Sequence, residues 1–197
     1  AYSIDMTDHG SAAASSLMNA LRATYDASIA VGYSPLVSTS IYCGEYSKQQ
    51  ILWVMAGNYA VSQGEYTGAE LRQMMEWLGN VKDNGANPIR HRNYMPVTSG
   101  MEYKVTEYEQ GKFRLEELTI NGAPLDDTAT YTVFVAGTDV WIENEVYCNC
   151  PMPENLKAKR TEYAIEGVES RSCLKDSLAV STQFPAPSEY LTIVQGE

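Results

Sequence analysis

Between residues 67 and 79 the chain reads TGAELRQMMEWLG, and its apolar positions fall in one stripe. Leu71, Met74, Met75 and Leu78 follow at i, i+3, i+4 and i+7, the spacing of one helix face. Thr67 is a good N-cap, Glu70 three residues on completes a capping box, and Gly79 is a natural stop. A methionine stripe of this kind belongs to a core. The segment before it, YAVSQGEY (59–66), reads as a strand, so strand and helix join without a loop. Residues 11–25 suit an Ala-rich helix with Leu17, Met18 and Leu21 inward. ASIAVGYS (27–34) suits a buried strand, and EYSKQQILWVMAGN (45–58) a short helix capped at Ser47 and ended by Gly57.

Further along, VKDNGANPIRHRN (81–93) is turn-rich, and YMPVTSGMEYKV (94–105) gives two strands meeting at Ser99-Gly100. KFRLEELTI (112–120) alternates, with a slip at Glu116-Glu117 that predicts a bulge. Asn121-Gly122 is a turn signal, followed by loop in APLDDTAT. YTVFVAG (131–137) is a strand, SCLKDSLAVSTQ (172–183) a helix and YLTIVQ (190–195) a last strand, whereas residues 143–171 give no clear pattern. Helices and strands interleave without βαβ rhythm, repeat or linker. The expectation is one α+β domain over residues 1–197, with a mixed β-sheet and packed helices.

Composition narrows the partners. The 197 residues carry 14 Lys and Arg against 25 Asp and Glu, a formal charge of −11. Phosphate backbones and anionic membrane surfaces repel such a chain, so nucleic acid is excluded as a partner. No apolar run of ~18 residues offers a membrane span, and SAAASSLMNALRA is too polar for a signal-peptide core. The chain opens AYSIDMTDHG without an initiator Met, which leads to the expectation of a mature or excised piece. Fourteen tyrosines against three phenylalanines fit half-buried strands. Cys43, Cys148, Cys150 and Cys173 allow three full pairings. Cys148 and Cys150 are too close for an easy mutual bridge, and free buried thiols and one disulfide stand level.

Motif chemistry taken alone gives no enzyme. His9 and His91 sit in turn-like settings without a second ligand at metal spacing. Arg90-His91-Arg92 is a small basic cluster that reads as a charged loop before an anion site. Asp126 and Asp127 in PLDD read as a surface turn before an acid–base pair. No Cys-x-x-Cys pair, phosphate-cradling glycine loop, nucleophile elbow or HExxH is present.

The order of elements and certain words carry a resemblance. EYTGAELRQMMEW, then YMPVTSGMEYKV, then LTINGAPLDDTATYTVFVAG resemble the C-terminal, substrate-binding domain of the 5'-nucleotidase and UDP-sugar hydrolase family. SLMNAL and GEYSKQQILWV resemble that family's preceding helices. The match is strongest over 12–140, and 141–197 diverge. The resemblance implies a nucleotide-recognition domain that follows an N-terminal metallophosphoesterase domain. That partner domain would hold the divalent metals and do the hydrolysis, in a periplasmic, cell-surface or secreted protein. Its metal motifs are absent here, so this chain itself is expected to carry no cofactor, no metal and no catalytic residue.

The departures fall on the site. The family's GGIR loop lands on PLVS (35–38), with Ser38 where the arginine stands. Its PFGN lands on MAGN (55–58), keeping Gly57 and Asn58 but no aromatic ring. The family's arginines ahead of the first helix have no counterpart, since residues 1–21 contain none. Trp141 lies near the second stacking position. The candidate binding residues are therefore Tyr33, Ser38, Gly57, Asn58 and Trp141. Losing charged hydrogen bonds at ~1.5–3 kcal/mol each, and a stack at ~1–3 kcal/mol, predicts a degenerate nucleotide site. The alternative expectation is a non-catalytic surface or ligand-binding module that kept the fold and lost the nucleotide.

Overall fold

The structure is a computed structural model that describes residues 1–3, 5, 7, 9–33, 37–42, 44–55, 57–79, 95–109, 112–138, 151–180 and 183–196. Its first helix, α1 (Ala12–Thr24), starts where Ser11 Oγ accepts the amide of Ala14. Leu17, Met18 and Leu21 turn into the core. Strand β1 (Ile29–Tyr33) follows, then α2 (Lys48–Val54). Ser47 and Gln50 form a reciprocal capping box on α2: Gln50 N donates to Ser47 Oγ (3.3 Å), and Ser47 N donates to Gln50 Oε1 (2.9 Å). The helix ends earlier than Gly57. Met55 is already extended (φ −88°, ψ 132°), because it pairs with Val37 in an antiparallel bridge.

Strand β2 (Ala60–Thr67) runs straight into α3 (Gly68–Gly79). The predicted capping box forms: Thr67 N donates to Glu70 Oε2 (2.8 Å) and Glu70 N donates to Thr67 Oγ1 (3.2 Å). All four stripe residues of α3 are buried, Leu71 and Met74 completely. Each such side chain contributes about 1.5–3 kcal/mol of transfer free energy.

Strands β3 (Pro96–Ser99) and β4 (Glu102–Glu109) meet at Gly100, whose φ of +80° favours glycine. Strand β5 (Lys112–Ile120) pairs antiparallel with β4, and its register shifts so that Lys104 faces Glu117 while Val105 faces Leu115. Glu116 is thus the extra residue of the bulge read from the alternation. Asn121 (φ +53°) and Gly122 (φ +75°) then turn the chain into a two-residue strand, β6 (Ala123–Pro124), against β5. Positive φ at both central positions is the type I′ signature. The Asn-Gly signal is a hairpin, where sequence alone suggested loop directly after it.

Strand β7 (Thr130–Ala136) is followed by α4 (Glu154–Glu162), β8 (Ala164–Glu169), α5 (Ser170–Val180) and β9 (Leu191–Gln195). The strands form two sheets where a single one was expected. One has the order β3-β1-β7-β2-β8, the other β6-β5-β4-β9. Both are mixed, with parallel pairs β1–β7 and β4–β9. Helix α1 packs on β1, β3 and α5, and α3 packs on β2 and β5. The shared core includes Leu17, Ile29, Val31, Leu71, Phe134 and Leu174.

The segment before β9 lies across the outer face of α1. Ser15 Oγ donates to Ser188 O (2.8 Å), Ser16 Oγ to Pro185 O (2.6 Å) and Asn19 Nδ2 to Ala186 O (2.8 Å). The serines of α1 are therefore buried and satisfied, as buried hydroxyls must be. No helix among the described residues is long and apolar enough to cross a membrane.

Candidate functional site

The two loops on which the family's binding words fall do lie side by side. Val37 bridges Met55, and Ser38 N donates to Val54 O (2.8 Å). Ser38 Oγ donates to the carbonyls of Trp53 and, at 3.4 Å, Val54. These are terminal carbonyls of α2, which have no partner inside the helix. Ser38 therefore caps α2 with both its amide and its hydroxyl.

Asn58 caps the opposite kind of end, the N-terminus of α5. Its Oδ1 accepts the amide of Arg171 at 3.3 Å. Next to it, Tyr59 N donates to Ser170 Oγ (3.0 Å) and Ser170 N donates to Tyr59 O (2.8 Å). Gly57 stands against the Tyr59 ring, which a Cβ at 57 would meet at 2.6 Å. Met55 is buried and contributes packing.

Of the five predicted site residues, the structure brings Ser38, Gly57 and Asn58 to this joint. The polar side chains among them bond to main-chain atoms. Tyr33 ends β1 opposite Pro96. Its side chain lies outside the described residues, as does Trp141 altogether. Outside them too are His91 with its flanking arginines and Cys43, Cys148 and Cys150.

Two residues at the joint escaped the sequence reading. Arg171 reaches in from α5, and its Nη2 donates to Met55 O at 3.2 Å. Its Nε is buried and has no hydrogen-bond partner among the described residues. Trp53, on the outward face of α2, is 59% exposed. Arg171 lies in a stretch without apolar period, and its partner is 116 positions away, so no local signal pointed to it. Trp53 was legible only as part of a helix.

The chemistry elsewhere is structural. Asp126 Oδ1 accepts from Thr128 Oγ1 (2.7 Å) and Thr128 N (2.8 Å), and these bonds hold its carboxyl below the ordinary range. Asp127 pairs with Arg72 at 2.9 Å. PLDD is thus a turn that closes over the start of α3. Here Gly68 N donates to Ala129 O (2.9 Å) and Ala69 N to Asp127 O (3.0 Å).

Lys159 Nζ lies 2.6 Å from Glu70 Oε2 and 2.9 Å from Glu65 O. It also stands 5.2 Å from the Tyr66 ring centroid and 5.9 Å from that of Tyr163. Burial alone would raise the Glu70 carboxyl, but the Lys159 ammonium and the Thr67 amide and hydroxyl outweigh it and hold it low. Cys173 is a free buried thiol whose ionisation burial pushes up, the opposite of an activated nucleophile. His9 meets Glu189 at 3.8 Å on the exposed surface. No group of three or more His, Cys, Asp or Glu suited to a metal ion occurs among the described residues.

Comparison with known proteins agrees with this architecture. The family described as 5'-nucleotidase, C-terminal domain, matches residues 5–138. No curated protein matches by sequence. Among solved structures, a 5'-nucleotidase precursor from Thermus thermophilus aligns with TM-score 0.63 and 16% identity, over 95% of this chain and 36% of that one. A Haemophilus influenzae NAD nucleotidase aligns with TM-score 0.69 and 13% identity, over 96% and 34%. A sulfate thiohydrolase, also from Thermus thermophilus and in complex with glycerol, aligns with TM-score 0.59 and 16% identity, over 91% and 31%. At these identities the likeness speaks for the fold. The chain spans about a third of the length of these structures.

Proposed function

This chain belongs to the 5'-nucleotidase C-terminal domain family, and we propose that it is the substrate-recognition domain of a 5'-nucleotidase-like phosphohydrolase with a degenerate nucleotide site. The hydrolytic metals then belong to a separate N-terminal metallophosphoesterase domain of the parent protein. Secretion or display at the cell surface or in the periplasm goes with that family. One observation carries the degenerate-site reading. Ser38 and Asn58, the polar side chains left at the family's two binding loops, are engaged in capping α2 and α5. A ligand there would have to break caps worth about 1 kcal/mol each before gaining a bond.

The test is calorimetry of the chain with adenosine and AMP, together with a hydrolysis assay on AMP and a UDP-sugar in Mn²⁺, Co²⁺ or Zn²⁺. Binding no tighter than about millimolar, near −4 kcal/mol, and no turnover above the metal-only blank are expected. A micromolar constant would overturn the degenerate site. Turnover by this chain would overturn the division of labour.

A second reading has its own support. Arg171 keeps a buried Nε that has no partner among the described residues, its Nη2 bonds Met55 O, and the exposed Trp53 stands at the same joint. The fold also occurs in a thiohydrolase, whose named substrate is not a nucleotide. On this reading the domain is a non-catalytic module for another small ligand. A parent reading frame with no upstream metallophosphoesterase motifs would favour it over the first.

A further inference from the structure

A cavity of about 640 Å³ shares no lining residue with the joint between α2 and α5. Four aromatic residues line it: Tyr2, Tyr42, Tyr46 and Phe184. Backbone bonding holds two of them. Tyr2 exchanges amide bonds with Ile41, with N to O distances of 2.6 and 2.9 Å. Tyr46 Oη accepts from Tyr42 N (2.6 Å) and donates to Tyr42 O (3.0 Å), which pins its ring to the chain. Tyr42 itself is 62% exposed, a large ring that the core does not claim. Glu45 is the one charged side chain among the described residues of this wall.

Ring faces are negative, and so is the single carboxylate. The net charge of −11 adds to both. The Ala1 α-amino group on the same wall is the one opposing charge among its described residues, and with it acetylated the cavity favours a cation and opposes a phosphate. The chain already holds a cation in such a setting, where Lys159 sits against Tyr66, Tyr163 and Glu70. That ammonium, however, also has carbonyl and carboxylate oxygens for its hydrogens. In the cavity, four aromatic residues stand beside one carboxylate-bearing residue. A nitrogen that carries methyl groups, and donates no hydrogen bond, suits it better than a primary amine.

We propose that the cavity walled by Tyr2, Tyr42, Tyr46 and Phe184 binds a small quaternary ammonium compound, with Glu45 as its counter-charge. The experiment is a calorimetric titration of the chain, acetylated at Ala1, with choline chloride. Acetylation keeps the α-amino group on the cavity wall from competing with the probe. The comparison ligand is 3,3-dimethyl-1-butanol, which has the same shape without the charge. Saturable choline binding is expected, with the neutral alcohol weaker by about tenfold or more. Tyr42→Leu and Glu45→Gln should each weaken choline by roughly fivefold, whereas Tyr108→Leu, at another exposed tyrosine, should leave it unchanged. Equal binding of the two probes would overturn the proposal. So would no saturation below roughly 50 mM, or an affinity unmoved in a folded Tyr42→Leu chain. Should that variant fail to melt like the parent, Glu45→Gln and the charged-against-neutral comparison decide the matter.

Discussion

Two joints in this molecule connect a helix to its surroundings, and they differ in what surrounds them. At the β2–α3 joint, the capping box of Thr67 and Glu70 is reinforced by the PLDD turn over Gly68 and by Lys159 from α4. At the joint of residues 37–38 with 55–59, two helix ends are each capped by one residue, Ser38 and Asn58, with one guanidinium strapped across. The first keeps the words on which the resemblance rests, whereas the second keeps Gly57 and Asn58 and departs from it at 35–38 and 55–56. Words that specify a backbone conformation persist here with their contacts. At the second joint, Ser38 and Asn58 bond to the ends of α2 and α5.

Substitutions can break or sharpen that contrast. The largest effect is expected at glycine. A Cβ at Gly68 would lie 2.1 Å from the main-chain oxygen of Asp126, and a backbone atom cannot step aside. Gly68→Ala should cost about 2–3 kcal/mol in urea denaturation. Gly57→Ala meets the ring of Tyr59, a side chain rather than main chain, and should cost less, about 1 kcal/mol. Equal costs would mean that the second joint is as tightly built as the first.

Next comes Glu70. Its folded-state carboxyl is held low, so its contribution is present above the unfolded value of about 4.3 and is lost as pH falls through the lowered folded value. Glu70→Gln should lower the melting temperature at pH 7 and flatten its decline between about pH 5 and 2. A variant whose acid limb matches the parent would show that Lys159 is indifferent to its partner. The smallest effect is expected at Asn58→Ala, about 1 kcal/mol of stability for a lost cap, with no change in response to adenosine. If nucleotide affinity moves instead, Asn58 is a ligand residue and the contrast fails.

What was legible in the sequence follows the range of each interaction. The cap at Ser47, the capping box at Thr67, the Met74–Met75 stripe and the slip at Glu116-Glu117 each leave a pattern within a few residues of sequence, and the structure has all four. The stretch 143–171 defeated the reading for a physical reason. Helix α4 has one buried residue, Leu156, and no side-chain cap, while β8 is an edge strand that is largely exposed along its length. Neither leaves an apolar period. Of the candidate residues, Ser38, Gly57 and Asn58 meet at one joint, which no local pattern announced, and Arg171 joins them by a contact across more than half the chain. That Met55 pairs with Val37, cutting α2 short of Gly57, is likewise a tertiary choice that overrode a local stop signal.

The serines of α1 bond to residues 169 and 173 positions further on. During synthesis those partners leave the ribosome long after α1 does. The outer face of the first helix must therefore wait in water, or in the care of a chaperone, until the Pro185–Ser188 stretch emerges to cover it.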